Sequence, residues 1–504
     1  MPSVDRNWVE AVAQSLGYKS PTEIPGITAN SKAVKPGWVF VAVKGSKVDG
    51  HTFIPDAIAA GAGLLIVETE LPGDARVRGV YQGVPYLRVA DSRLALAHLS
   101  WANYGYPTDK FNLVGITGTD GKTSSAQLTL SGLQACGHIT GSVGTITYDI
   151  DKAKEPASLT TPGPEILAPL FERMVDAGVQ TAVMEVSSHG LALNRVYGCN
   201  FRCVVFTNMT RDHLDFHGSS KEYANAKLLL FSEVIANNPD TLGAVVNQDD
   251  PLYQRIVDVC PVPVVGFSLN PDSAAAIAPI KVHYGLDGIK GTLRTPWGNV
   301  SIDSKLIGKN NLKNIMTAIG VGGVLGHDIT RFAAGVCQLD RIPGRLEAVS
   351  GKRNVNVFVD FAHTPDAITG VLSILKELAP NHPITAVFGA GGSRDAGKRP
   401  LMGRAAALLA SKVVVTSDNP RAEDAKAIAA QIVAGIDELK EQGIATGEVI
   451  VETDRRLAIK LAIETAEDDE VIVILGKGHE TTQDFGTRVI HFSDVEVAKE
   501  YLDS

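Results

Sequence analysis

Along much of this chain, apolar residues come in short unbroken runs rather than in strict alternation with polar ones. Each run ends in a polar or glycine-rich tip, and a stretch of helical spacing follows. "NLVGIT" precedes "GTDGKT", "TAVMEV" precedes "SSHG", and "VVFTN" precedes "MTRDHLD". Further on, "ITAVFGAGG", "KVVVTSDNPR" and "EVIVILGKGHE" repeat the form. A strand covered on both faces has no side that meets water, so its sequence is continuously apolar. Such runs alternating with helices predict buried parallel strands, hence an α/β fold. Ligands of these sheets sit beyond the carboxyl ends of the strands, which makes the polar tips the place to look for chemistry.

The pattern divides into three blocks. Residues 1–108 hold "WVFVAVKG" and "GLLIVET" and predict a smaller α/β domain, closed by a linker at "YGYPTDKF". Residues 109–339 carry the glycine loop and, within "IKVHYGLDGIKGTLRTPWGNVSIDSKL", alternating strands with Asp-Gly turns that predict a hairpin insertion. Residues 340–504, after "LDRIPGRLE", predict another α/β domain.

Composition narrows the function classes. The chain has 504 residues, 44% of them hydrophobic and 20% charged, which is ample for more than one core. A net charge of −9 leaves no broad footprint for nucleic acid. Cys136, Cys199, Cys203, Cys260 and Cys337 are scattered and odd in number, so reduced, buried thiols are expected rather than a zinc site or a disulfide framework. The first residues lack a basic-then-apolar signal, and no apolar run reaches the roughly 18 residues of a membrane span. A soluble, cytoplasmic protein is the expectation.

The central chemistry begins at "GITGTDGKTSS". The usual phosphate-loop pattern asks for a glycine five positions before the one that precedes Lys122, and Ile116 stands there instead. The elements are nonetheless those of a phosphate site: a strand before, glycines that allow close backbone approach, and a helix whose first N–H groups face the anion. Lys122 would meet β- and γ-phosphates and Thr123 a Mg²⁺ ion. An ordinary glycine-rich turn is the competing reading. Glu185 ends the run "TAVMEV" and His213 follows the run "VVFTN", and a carboxylate with an imidazole at adjacent strand tips suits a divalent ion that also binds phosphate. Each also has a plainer reading, as a surface ion pair or a loop cap, and Lys227 in "YANAKLLLF" reads by itself as a solvated helix lysine.

Twelve blocks in register change that balance: "NSKAVKPGWVFVAVKG", "GITGTDGKTS", "SLTTPGPE", "MEVSSHGLALNRV", "FTNMTRDHLDFHG", "YANAKLLLF", "NNLKN", "GRLE", "VDFAHTPDA", "GAGGSRDAGKRPLMG", "SDNPRAED" and "GKGHET". The chain resembles the Mur ligase family over nearly its whole length. It is most similar to the members that add the third amino acid of the peptidoglycan stem peptide. The family's loop is itself of the GTxGKT type, which accounts for Ile116. The resemblance implies three domains: an N-terminal UDP-binding α/β domain, a central P-loop ATPase-like parallel-sheet domain, and a C-terminal Rossmann-like α/β domain. It implies an ATP-dependent amide ligase, in monomeric form, that joins meso-diaminopimelate to the D-Glu γ-carboxylate of UDP-N-acetylmuramoyl-L-alanyl-D-glutamate through an acyl phosphate.

The residue roles that follow are carried over from that resemblance. Gly118, Thr119, Asp120, Gly121, Lys122, Thr123 and Ser124 would hold ATP, with Asn311, Asn314, Arg345, Asp360 and His363 on its other side. Lys227 would be carbamylated by CO₂ and, with Thr123, Glu185 and His213, serve two Mg²⁺ ions; a lysine among Ala and Leu residues fits, since desolvation disfavours its charged form. Ser31, Ser46, Lys47 and Val48 would meet the UDP group, and Thr160, Thr161, Ser187 and Arg195 the muramoyl-dipeptide. Arg394, Asp418, Asn419, Pro420, Arg421, Gly476 and Glu480 would form the acceptor pocket. There Arg421 can bind the distal carboxylate that L-lysine lacks, and Glu480 would take the ammonium. The site would draw on two domains, so that closure assembles it and excludes water. Asp120, Gly163-Pro164 and Leu193 depart from residues common in the family (Asn, Asp-Ala and Gln), and "AEDAK" replaces the usual ending after "DNPR". L-lysine or L-ornithine as acceptor, a MurF-type ligase, a folylpolyglutamate synthase and a non-catalytic scaffold derived from the family are the alternatives.

Overall fold

A computed structural model describes residues 6–45, 48–72, 78–236 and 238–504. The chain divides into two compact units. The first comprises Met1–Pro279, Leu293–Val300 and Lys313–Val336, and the second Ile280–Thr292, Ser301–Leu312 and Cys337–Ser504. The two leading sequence blocks thus share one unit, and parts of the hairpin insertion group with the C-terminal one.

In the first unit, strands β1 (Ile27–Thr28), β2 (Val39–Val41), β3 (Leu64–Val67), β4 (Arg78–Tyr81) and β5 (Val84–Arg88) form a sheet in the order β1-β2-β3-β5-β4, with only β4 antiparallel. A larger sheet is built from β6 (Asn112–Thr117), β7 (Thr140–Val143), β8 (Thr147–Ile150), β9 (Ala153–Pro156), β10 (Thr181–Glu185), β11 (Phe201–Phe206), β12 (Gly243–Asn247) and β13 (Val264–Phe267). Its order is β13-β12-β11-β6-β10-β7-β8-β9, parallel except at β8 and β9. The apolar runs are its central strands, and the alternation of strand and helix folds as the patterning dictates. Trp101, 1% exposed on the helix Ser92–Asn103, donates its indole N–H to the Tyr197 carbonyl at 2.8 Å and stacks on Phe171. It carries the core of the larger sheet into the N-terminal block.

Three strands, β14 (Ala278–Gly285), β15 (Gly288–Arg294) and β16 (Val300–Ser304), pair in chain order as the turn chemistry predicts. In the second unit, β17 (Glu347–Val349), β18 (Asn356–Asp360), β19 (Ile384–Phe388), β20 (Lys412–Val415), β21 (Glu448–Val451) and β22 (Val471–Leu475) assemble in the order β17-β18-β22-β19-β20-β21. All neighbours there are parallel except β17 with β18. Among the described residues, no helix is long and apolar enough to cross a membrane.

All five cysteines are free thiols, but only Cys199 and Cys203 are buried; Cys136, Cys260 and Cys337 are partly exposed, which corrects the expectation that all are buried. Burial pushes the Cys199 and Cys203 thiols far up from their ordinary value. Brief iodoacetamide treatment of the native protein is therefore expected to modify the other three and to reach these two only after denaturation, read by peptide mass spectrometry. Early labelling of Cys199 or Cys203 would contradict the packing described.

Candidate active site

Strands β6, β10 and β11 are neighbours, so their polar tips meet at one edge of the sheet. The loop after β6 runs straight into the helix Lys122–Ala135, with Gly121 at φ +81° as its N-cap. A Cβ on Gly121 would lie 2.5 Å from Asn314 Oδ1, and one on Gly118, at φ +149°, would collide with Thr207 Oγ1. Only glycine fits either place. Asn208, at the tip of β11, shapes the loop: its carbonyl and side-chain oxygen accept the N–H groups of Thr119 and Asp120, each at 2.9 Å. Sequence reasoning passed over Asn208 although it stands in the quoted "VVFTN" tip. Lys122 Nζ donates to the Gly118 and Thr119 carbonyls at 2.9 and 2.8 Å, folded over its own loop. Ser125 Oγ donates to Asn314 Oδ1 at 3.2 Å, which ties Asn314 to the same helix. Ser124 is buried in its first turn. Asp120 is exposed, and its Oδ2 accepts from Thr210 Oγ1 at 3.3 Å.

Glu185, 2% exposed at the end of β10, is the junction of the site. Thr123 Oγ1 lies 2.9 and 3.0 Å from its two carboxylate oxygens, and Thr145 donates to them through both N–H and hydroxyl at 3.0 Å. Thr145 Oγ1 in turn is 3.1 Å from Thr160 Oγ1. The main-chain carbonyl of Glu185 accepts from Thr161 Oγ1 at 2.9 Å, which itself accepts from the Ser187 N–H at 2.9 Å. Arg195 Nη1 donates to the Thr161 carbonyl at 2.8 Å. Thr123, Thr160, Thr161, Glu185, Ser187 and Arg195, chosen from separate motifs, thus form one hydrogen-bonded network. Thr145 belongs to it and carries no motif that would have flagged it.

Lys227, 1% exposed in the helix Ser220–Leu229, sits with Nζ 4.3 Å from the centre of the Tyr223 ring. Among the described residues no carboxylate lies within 4 Å of it. Burial, with Lys122 nearby, pushes its pKa well below the usual lysine value, against the opposing pull of Asp212, Asp120 and Asp250. Tyr223 Oη is 3.0 Å from Thr119 Oγ1, so the tyrosine links Lys227 to the phosphate loop; its signal was its place four residues before Lys227 on a helix. His213, at φ +52°, is exposed and stands edge-on to His189 and Tyr223.

The donors suit Mg²⁺ in kind: a hydroxyl, a carboxylate and an imidazole. A buried lysine with no carboxylate within 4 Å among the described residues suits conversion to a carbamate, which would supply further oxygens. Among the described residues, however, no three His, Cys, Asp or Glu side chains converge in a ready-made metal cluster.

In the second unit, the tips of β22, β19 and β20 are adjacent, and Asp360 ends β18 beside them. Asp418 and Asn419 are each 8% exposed. Asn419 Nδ2 donates to Glu480 Oε2 at 3.0 Å, and Lys477 Nζ bonds both Asn419 Oδ1 and Glu480 Oε2, at 3.1 and 2.9 Å. Burial works to raise the Glu480 carboxyl, but Lys477 and Asn419 outweigh it and hold it below the usual range. Glu480 is therefore already matched by Lys477, wholly buried within the quoted "GKGHE" and missed as a functional residue. Arg421, at φ +52°, donates from Nη1 to the Gly392 carbonyl at 2.8 Å, and its Nε is 3.7 Å from Asp484 Oδ2. The Pro420 carbonyl accepts the Glu423 N–H at 3.0 Å, and Gly476, at φ +111°, donates its N–H to Asp360 O at 3.1 Å. Arg394 is exposed on the neighbouring loop. The buried Arg399 holds that loop, donating to Gly391 O at 3.1 Å and to both Glu423 oxygens at 2.8 and 3.0 Å.

Of the remaining candidates, Asn311 donates to Ile307 O at 2.9 Å, and Arg345 lies 5.8 Å from the Phe361 ring. Asp360 accepts the Leu346 and Ala362 N–H groups at 2.7 and 2.8 Å, while burial raises its pKa. His363 Nδ1 is 2.8 Å from Phe361 O. Ser31 opens a turn capped by Asn30, and Val48 is 52% exposed, its carbonyl accepting the Gly45 N–H at 3.0 Å. Ser46 and Lys47 lie outside the described residues. A cleft of about 370 Å³ opens at the opposite strand ends, lined by Lys110, Gln180, Asn200 and Arg202, and contains none of the candidate residues.

Comparison with known proteins agrees with this geometry. Three family models match in order: "Mur ligase family, catalytic domain" over residues 23–104, "Mur ligase middle domain" over 116–322, and "Mur ligase, glutamate ligase domain" over 344–478. A protein of Gloeobacter violaceus named UDP-N-acetylmuramoyl-L-alanyl-D-glutamate–2,6-diaminopimelate ligase is 42% identical, covering 95% of this chain and 94% of its own. One of the same name from Geobacillus kaustophilus is 38% identical over the same shares. A solved structure of a ligase so named superposes with a TM-score of 0.70 at 30% identity, covering 95% of this chain and 94% of that one.

Proposed function

Since the chain belongs to the Mur ligase family, with its three-domain architecture, we propose that it is the ATP-dependent ligase that joins meso-diaminopimelate to UDP-N-acetylmuramoyl-L-alanyl-D-glutamate in peptidoglycan synthesis. We assign residues 1–108 to the UDP group, 109–339 to ATP and 340–504 to the acceptor, and the reaction to the cytoplasm.

The observation that carries this reading is Glu185, whose carboxylate joins the phosphate-loop Thr123 to Thr145 and whose carbonyl holds the Thr161 loop. A nucleotide triphosphate and a second substrate would be brought side by side there. The D-Glu γ-carboxylate attacks the γ-phosphorus; ADP leaves and an acyl phosphate forms. The acceptor amine then attacks the acyl carbon, loses a proton, and inorganic phosphate departs as the amide forms. A free carboxylate is a poor electrophile, which is why activation precedes amide formation. Lys122 and the helix N-terminus bind the phosphates, and Arg195 and the threonine loop orient the carboxylate-bearing peptide. Mg²⁺, held by Thr123, Glu185, His213 and a carbamate on Lys227, would supply neutralising charge to the phosphoryl oxygens. In the acceptor pocket, Arg421 meets the distal carboxylate and Glu480 with Asn419 faces the ammonium.

The test is ADP release with the UDP-muramoyl-dipeptide and a panel of diamino acids. Release that needs both substrates, with meso-diaminopimelate preferred, is expected. Product with L-lysine but none with meso-diaminopimelate would refute the Arg421 assignment, and no release with any acceptor would leave the reading of a non-catalytic scaffold.

A further inference from the structure

Arg455 opens the helix Arg455–Glu464, and its side chain is wholly buried. Its partner Asp494, the first residue of the C-terminal helix Asp494–Asp503, is equally dry. The pair is bidentate, Nε to Oδ1 and Nη2 to Oδ2, both at 2.7 Å. The rest of the guanidinium reaches two main-chain carbonyls, Ser417 O from Nη1 at 3.1 Å and Leu475 O from Nη2 at 2.9 Å. Each carbonyl lies one residue before a candidate tip: Ser417 precedes Asp418, and Leu475 precedes Gly476. Strand β19 separates β20 from β22 in the sheet, so these two tips do not hydrogen-bond through a shared ladder. Arg455 spans the gap. Gln483 adds to the grip, donating to Ser417 Oγ at 3.2 Å and Asp418 O at 2.8 Å.

A buried ion pair is a weak source of stability, because desolvating both charges offsets their attraction. A planar guanidinium fork does supply fixed geometry: five N–H groups in one plane hold a carboxylate and two carbonyls at set separations. We propose that Arg455, held by Asp494, is a positioning residue for the acceptor amino acid. It fixes the spacing of the Asp418–Arg421 and Gly476–Glu480 tips and so governs acceptor affinity without touching the ligand. This rests on the reading of those tips as the acceptor pocket.

The experiment uses the full chain with Arg455→Met combined with Asp494→Leu, and separately Arg455→Lys. The double variant removes both charges together, which spares the fold an orphaned buried ion. The lysine variant keeps the charge on Asp494 but cannot hold both carbonyls. KM for acceptor, ATP and UDP-muramoyl-dipeptide is measured for each, with kcat at saturating acceptor and the thermal unfolding midpoint. The acceptor KM is expected to rise about tenfold or more in the double variant and less in the lysine variant. The KM for the UDP-muramoyl-dipeptide is expected to stay within about twofold, since its candidate residues share no bond with the clamp, and that for ATP to move less than the acceptor KM, since only the Gly476 N–H beside Leu475 reaches an ATP candidate, the Asp360 carbonyl. An unchanged acceptor KM in both variants overturns the proposal, as does a parallel rise of all three KM values with a fallen midpoint. If the double variant does not fold, the lysine variant decides by the same criteria. The wild type is run first on the acceptor panel. Preference for another diamino acid fails the substrate assignment alone, and the clamp is then tested with that acceptor. No ADP release with any acceptor overturns both readings.

Discussion

Lys227→Ala is expected to lower kcat by about 10³-fold, the scale of losing one preorganised charged group at a phosphoryl-transfer site. Formate or acetate should return part of the activity by entering the space the side chain leaves. Wild-type enzyme stripped of CO₂ should lose activity and regain it with bicarbonate. The warrant is the site itself: an amine 1% exposed, packed on the Tyr223 ring, with its pKa driven down by burial and by Lys122. A neutral amine is the form that adds CO₂. The sign of the pH effect on the unmodified chain follows. Between the depressed native pKa and the unfolded value of about 10.4, the unfolded state binds one more proton at this site than the native state does. Its contribution to stability therefore rises with pH across that window, which alkaline unfolding titrations of wild type against Lys227→Met can read. Full activity in Lys227→Ala would remove the lysine from the mechanism.

Arg421→Ala should raise KM for meso-diaminopimelate while leaving KM for ATP alone. A hydrogen-bonded charge pair contributes up to about 2–3 kcal/mol, so a change of about 30- to 150-fold is expected. The main chain at Arg421 is held at φ +52° with its N–H on the Asp484 carbonyl at 3.0 Å, and the guanidinium leans on Gly392 O. Its direction is thus set by the loop before any ligand arrives. Discrimination against L-lysine should fall with it, because the same cation repels the free ammonium. Steady-state kinetics with both acceptors checks this, and an unchanged preference ratio would assign the distal carboxylate to another group.

Features carried by local pattern were legible in the sequence. The runs "NLVGIT", "TAVMEV" and "VVFTN" hold β6, β10 and β11; Glu185 ends β10, Lys122 and Thr123 open the helix after β6, and Arg421 lies in the loop that follows β20. What escaped depends on which strands become neighbours. The order β22-β19-β20 is not chain order, so nothing in the sequence says that Asn419 and Glu480 touch or that Arg455 bridges Ser417 and Leu475. Nor does a motif report its own partners: Glu480 was expected to wait for an ammonium and is already bonded to Lys477. Asn208 was visible but silent, because its work is to hold two N–H groups of a loop 88 and more residues earlier in the chain.

Glu185 touches the phosphate loop with its side chain and the threonine loop with its main chain. With ATP on the first loop and the peptide substrate on the second, as proposed, a residue so shared would link the two thermodynamically. If the nucleotide draws Thr123 away from this carboxylate, the position of Thr161 and Arg195 responds. By linkage, whatever factor ATP imposes on the affinity of the peptide substrate, the peptide substrate imposes equally on ATP.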